Sequence, residues 1–145
     1  CMTILHTDDF RREYRGICDG VPQPPAGTIA LPISRQPGSL LKRSIDPDGL
    51  PSQTEYETLS VSHGRALLRL RPLTGRTHQL RLHMAAMGHP LTGDWLYGAE
   101  DKTLIARPAL HSYELWLRHP LTKEPLHITA PIPEDMLSLI KEEKL

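Results

Sequence analysis

Residues 54–88 read TEYETLSVSHGRALLRLRPLTGRTHQLRLHMAAMG, and two periods follow one another in them. Thr54, Tyr56 and Thr58 alternate with Glu55 and Glu57, the period-two pattern of a half-buried strand. His63-Gly64 marks a turn. Ala66, Leu68 and Leu70 then alternate with Leu67, Arg69 and Arg71 in a returning strand. The segment therefore predicts a hairpin with one apolar face and one partly basic face. From Arg76 to Met87 the period lengthens. Leu80, Met84 and Met87 fall at i, i+4 and i+7, the buried stripe of a helix. Thr77 is placed to cap that helix, and Gly88 followed by Pro90 to stop it.

Outward from this centre the signals are shorter. Upstream, Glu13 to Cys18 reads as a strand stopped by Asp19-Gly20. Val21 to Gly27, VPQPPAG, is a Pro-rich loop that cannot pair as a central strand. Thr28 to Ile33 reads as a short apolar strand, and Ser34 to Ser52 as a long polar loop carrying Arg35, Lys42 and Arg43. Downstream, Leu110 to Leu117 is a strand containing Trp116, His119 to Glu124 a turn, and Pro125 to Ala130 the return. Pro133 opens a last helix, Glu134 to Lys141, with Met136, Leu137 and Ile140 as its stripe and Lys141 and Lys144 near its C-terminal end. Six or seven strands and two helices, joined by hairpins, predict an α+β fold. Its sheet is mixed but largely antiparallel, flanked by helices.

Composition bounds the function classes. The chain has 145 residues, 39% of them hydrophobic, and zero formal charge, which excludes a disordered chain and fits one domain. No apolar run approaches the length of a membrane span, and no signal-peptide core follows the N-terminus. Cys1 and Cys18 are too few for a disulfide scaffold, so a reducing, cytoplasmic setting is expected. The zero total is unevenly spread. Between Glu57 and Asp94 there is no acid, but there are Arg65, Arg69, Arg71, Arg76 and Arg81. A second acid-free stretch runs from Gly20 to Ile45. These stretches read either as solvated faces or as a surface for phosphate.

No metal site is expected. His78, His83 and His89 are spaced five and six apart, and five residues turn a helix through about 500°, so His78 and His83 point to different sides. Neither HExxH nor CxxC occurs, and ordinary hydrogen-bonded histidines are the expectation. GxSxG, GxGxxG and the P-loop are absent. Leu73-Thr74-Gly75-Arg76-Thr77 at the helix start could hold an anion through free N–H groups and a guanidinium, or serve as a simple cap.

Residues 74–98, TGRTHQLRLHMAAMGHPLTGDWLYG, resemble the third signature of the RluA-type pseudouridine synthases, roughly TGRTHQIRxHxxxxGHPxxGDxxYG. The fixed positions Thr74 to Gln79, Arg81, His83, Gly88 to Pro90, Gly93, Asp94, Tyr97 and Gly98 all match. Arg12-Glu13-Tyr14 with Gly20 resembles the family's KxY strand, Gln53 to Tyr56 the entry to its central hairpin, and Leu110-His111 with His119-Pro120 to Pro131 its closing hairpin. The resemblance runs from about Phe10 to Pro133.

It implies a partial pseudouridine synthase catalytic fold and the isomerisation of uridine to pseudouridine in structured RNA, ribosomal or transfer. The target base is flipped out of its stack, and no cofactor takes part. It further implies that Tyr14 packs on the base and that Arg81 pairs with an essential Asp. Arg76, Thr77, His78 and Gln79 would then lie near the RNA backbone. Asp94 reads instead as a structural residue holding a turn.

There are two departures. Arg12 stands where the family has Lys, and the HRLDxxTSG segment that carries the Asp has no counterpart. Asp8 and Asp9, in HTDDF, do not match it. Residues 1–145 are thus expected to be the C-terminal part of a synthase catalytic domain, inactive alone, which the Cys1 start also suggests. Such a part would pair with a missing N-terminal half or self-associate, with no membrane partner. The alternative is a non-catalytic RNA-binding module from a degenerate synthase.

Overall fold

The computed structural model describes residues 10–39, 42–98, 105–118 and 121–140. Along the chain run β1 (Phe10–Asp19), β2 (Ala26–Ile29), β3 (Ile33–Arg35), β4 (Arg43–Ile45), β5 (Thr54–Ser62), β6 (Arg65–Pro72), α1 (Gln79–Ala86), β7 (Leu110–Arg118), β8 (Pro125–Thr129) and α2 (Glu134–Ile140). Six strands form one sheet in the order β2-β5-β6-β1-β7-β8, and β3 and β4 form a separate hairpin. Every strand pairing in both sheets is antiparallel.

The alternation seen in the sequence sets the two faces of the large sheet. Tyr14, Gly16 and Cys18 stand opposite Leu70, Leu68 and Ala66, and Tyr56 stands opposite Leu70 on the other side. This face, with Ile29, packs under Leu80 and Met84 of α1 and against Leu91. On the other face Ile17 and Leu67 meet Met136 and Leu139 of α2, together with Ile105 and Ala109. Each large side chain so buried contributes roughly 1.5–3 kcal/mol, enough to fix both helices to the sheet.

Local chemistry explains the boundaries. His63 and Gly64 both have positive φ, 54° and 73°, as a two-residue hairpin turn requires. Helix α1 ends in a Schellman arrangement: Gly88, at φ 85°, donates to Ala85 O and His89 donates to Met84 O.

Several expectations are corrected. The strand expected over Thr28 to Ile33 is two pieces. β2 starts at Ala26, is an edge strand with Ala26, Gly27 and Thr28 exposed, and ends before Pro32; Ile33 begins β3. The expected 34–52 loop contains the β3–β4 hairpin, whose base is closed by reciprocal hydrogen bonds between Ile33 and Leu50. Helix α1 begins at Gln79 rather than Arg76. Its N-cap is His78, at φ 57° with no side-chain cap bond, so Thr77 is not the cap. In α2 the buried partner of Met136 is Leu139, not Leu137. Cys1, Asp8, Asp9, His119, Pro120, Lys141 and Lys144 lie outside the described residues.

Candidate functional site

A cleft of about 340 Å³ lies where the segment leading into α1 meets the face of β1 that carries Tyr14. Tyr14 and Arg81 both line it, and so do Arg76, Thr77, His78 and Gln79. Arg12, Pro72 and Leu110 complete its walls. The Arg12 guanidinium lies 5.6 Å from the centre of the Tyr14 ring. No carboxylate lines the cleft among the described residues.

Helix α1 has no side-chain cap, so its start must be held in another way. Gln79 holds it. Its amide oxygen accepts from Thr74 Oγ1 (2.7 Å) and from the Arg76 N–H (3.1 Å). Its amide nitrogen donates to Gln53 O (2.8 Å) and Thr54 Oγ1 (2.9 Å). Thr54 in turn bonds His83 Nδ1 at 2.9 Å, and His83 Nε2 donates to the Leu31 carbonyl at 2.9 Å. A carbonyl only accepts, so Nε2 carries the proton and Nδ1 accepts from Thr54. Burial lowers the His83 pKa, against the raising effect of the Leu31 carbonyl, and keeps the ring neutral. Gln79 is only 3% exposed and its donors and acceptors are all used, so it shapes the cleft and leaves no hydrogen bond for RNA.

Arg81 is anchored by Asp94. Nε donates at 3.1 Å and Nη2 at 2.8 Å in a bidentate pair. Asp94 also accepts the N–H groups of Leu96 (3.0 Å) and Tyr97 (3.2 Å), which confirms it as a turn-holding residue. Burial pushes its carboxyl up, but the Arg81 hydrogen bond, the two N–H groups and the guanidinium charge outweigh that and hold it below 3.8. Gly93 precedes it at φ 80°, where a Cβ would sit 2.7 Å from Arg107 O.

Tyr97 joins this turn to the cleft and to the small hairpin. Its oxygen accepts the Arg43 N–H (2.8 Å) and lies 2.8 Å from His78 Nδ1. Burial, with the nearby charges of Arg81 and Arg43, lowers the His78 pKa; Asp94 opposes this. A neutral His78 can then accept the Tyr97 O–H.

Two groups escaped the sequence reading. One is the Tyr97 link, although Tyr97 was a matched motif position. The other is Glu13, only 3% exposed, which accepts from Arg71 at 2.7 and 2.8 Å and from Arg15 at 3.3 Å. Arg69 likewise meets Glu57 at 2.8 Å. The basic middle is therefore partly neutralised across strands, whereas the Arg76 guanidinium meets the neutral Pro51 carbonyl at 3.0 and 3.1 Å. Among the described residues no group of three or more His, Cys, Asp or Glu could hold a metal ion.

The sequence profile of the RNA pseudouridylate synthase family matches residues 2–86. The chain belongs to this family. The chain is 41% identical over 133 residues to the uncharacterized RNA pseudouridine synthase YjbO of Bacillus subtilis, covering 92% of itself and 47% of that protein. It is 35% identical over 156 residues to the ribosomal large subunit pseudouridine synthase D of Haemophilus ducreyi, covering 99% of itself and 48% of the relative. Its fold matches human RNA pseudouridylate synthase domain containing 1 with a TM-score of 0.71 at 30% identity, over 84% of this chain and 54% of the human one. The chain thus spans about half the length of the curated relatives it matches.

Proposed function

We propose that the protein acts in the conversion of uridine to pseudouridine in structured RNA, with ribosomal RNA as substrate, and that the cleft beside α1 receives the flipped uridine. The observation that carries this reading is that Tyr14 and Arg81 line one cleft in a chain of this family. The relatives named as ribosomal large subunit synthases favour the choice of RNA. In this reading the Tyr14 ring packs on the uracil, and Arg81 holds a catalytic carboxylate ionised and oriented. Asp94 engages two of the five guanidinium donors, so others remain for a second carboxylate. That carboxylate comes from polypeptide beyond this chain, which serves as the C-terminal part of the catalytic domain and is inactive alone.

Isomerisation replaces the C5–H bond of uracil by a C–C bond, so tritium release from 5-tritiated uridine in ribosomal RNA reports turnover. In the full-length protein, Tyr14→Phe and Arg81→Lys are expected to slow release by at least about 100-fold. Wild-type rates in both variants would sink the assignment. A full-length protein that binds RNA but releases no tritium would instead support the non-catalytic binding module, which the lack of a carboxylate lining the cleft among the described residues favours.

A further inference from the structure

Tyr97 does not line the cleft, yet its ring and its oxygen each reach a residue that does. Its ring centre lies 5.4 Å from the Arg81 Cζ, and the Trp95 ring centre lies at the same distance. Asp94 already grips that guanidinium at Nε and Nη2. Three side chains of one turn, those of residues 94, 95 and 97, therefore hold Arg81 by charge and by cation–π contact.

The oxygen end of Tyr97 admits a proton count. Its Arg43 partner is a backbone N–H, which only donates, so that bond uses a lone pair of the phenol oxygen. Burial pushes the Tyr97 phenol up, against the lowering effects of the Arg43 N–H and of the Arg81 and Arg43 charges, so the oxygen keeps its proton. Among the described residues the acceptor for that proton is His78 Nδ1, at 2.8 Å. Nδ1 therefore accepts, and the neutral ring carries its own proton on Nε2.

The backbone beneath this ring is also unusual. His78 has φ 57° and ψ 20°, the left-handed region that a non-glycine residue holds only where its surroundings over-determine it. An N-cap side chain commonly turns back to the free N–H groups of its helix, but His78 makes no such bond. Its ring goes instead to Tyr97, edge-on to the phenol with the ring centres 5.6 Å apart.

We infer that Tyr97 is a positioning residue for the isomerisation. Its ring steadies the Arg81 guanidinium, and its O–H locks His78 as the Nε2–H tautomer. The imidazole then offers the cleft a donor and no lone pair, which suits a carbonyl oxygen of uracil. The inference rests on the uridine-converting reading above and adds what holds two of the cleft residues ready.

Two measurements test it. Long-range proton–nitrogen NMR correlations of the 145-residue chain at neutral pH show which ring nitrogen carries the proton. His78 is expected as Nε2–H in the wild type and as a tautomer mixture in Tyr97→Phe. An Nδ1–H or a doubly protonated His78 in the wild type would overturn the lock, whatever the variants do. The second measurement is tritium release by the full-length protein, with kcat scaled to the folded fraction from urea unfolding. Tyr97→Phe keeps the ring beside Arg81 and removes only the O–H, whereas Tyr97→Leu removes both. The expected loss in kcat is about 10-fold for Phe and about 100-fold for Leu, with KM changed less than about twofold. If the wild type turns over and Tyr97→Phe keeps its kcat, or loses only in KM, the positioning role falls and the uridine reading stands. A loss in kcat with the wild-type tautomer retained would overturn the part assigned to His78. No tritium release from the wild type would sink the uridine reading and the positioning role with it.

Discussion

At the scale of single residues, Gln79 shows what kind of information the sequence withholds. It occupies a family motif position and was expected to touch RNA. Instead its amide ties the 74–76 segment to Gln53 and Thr54. Nothing local marks this, because these two partners stand at the start of β5 and just before it, 25 and 26 positions upstream. Thr77 is the mirror case, with a capping side chain at a plausible position but an exposed place ahead of the helix. The two predict opposite outcomes. Gln79→Ala leaves several buried groups unpaired and should cost about 3 kcal/mol in urea unfolding, whereas Thr77→Ala should cost less than about 0.5 kcal/mol. Comparable losses in both variants would restore Thr77 as the cap. Tyr14 and Arg81, by contrast, were singled out by the resemblance of two separate stretches to the family, and both line one cleft.

At the scale of elements, legibility followed length and burial. β5 and β6 are long, and their apolar residues alternate, so the sequence shows both strands and the turn between them. β3 and β4 have three residues each, too few for a period, and were read as loop. β2 failed differently, since an exposed edge strand has no apolar run to mark it. The β5–β6 turn offers a test of local chemistry. His63 sits at φ 54°, where Asn is better tolerated, and Asn-Gly is the preferred pair for such a hairpin. His63→Asn should raise the unfolding free energy by about 0.5 kcal/mol, measured by denaturant titration. A loss would show that the His63 ring contributes more than its backbone strain costs.

At the scale of the whole molecule, the sequence showed where the charges are but not their pairing. The acid-free stretch from 58 to 93 is real as sequence, yet Arg71, Arg69 and Arg81 find Glu13, Glu57 and Asp94 once the strands align. The pH dependence of stability follows from the buried and half-buried members. His78 and His83 have lowered pKa values, so their contribution is complete above 6.5 and is lost as pH falls through their native values. Asp94 adds a second loss below 3.8. The Cys18 thiol is pushed up by burial to about 11, so the unfolded chain ionises first and stability declines above 9.0. Urea midpoints should therefore form a plateau between about pH 7 and 8.5 and fall on both sides. A midpoint that rose on acidification from about pH 7 to 5 would contradict the neutral histidines.

The tie between Gln79 and β5 also bears on how the protein comes into being. An eight-residue helix without a capping side chain or an acid in its first turn cannot persist alone in water. Its start is defined by bonds to residues about 25 positions away, which exist only after β5 and β6 have zipped together. The cleft is therefore a product of the tertiary fold, not a preformed local motif. Chains still emerging or partly open carry the signature residues without the pocket, and recognition competence arrives in the same cooperative step as the native state.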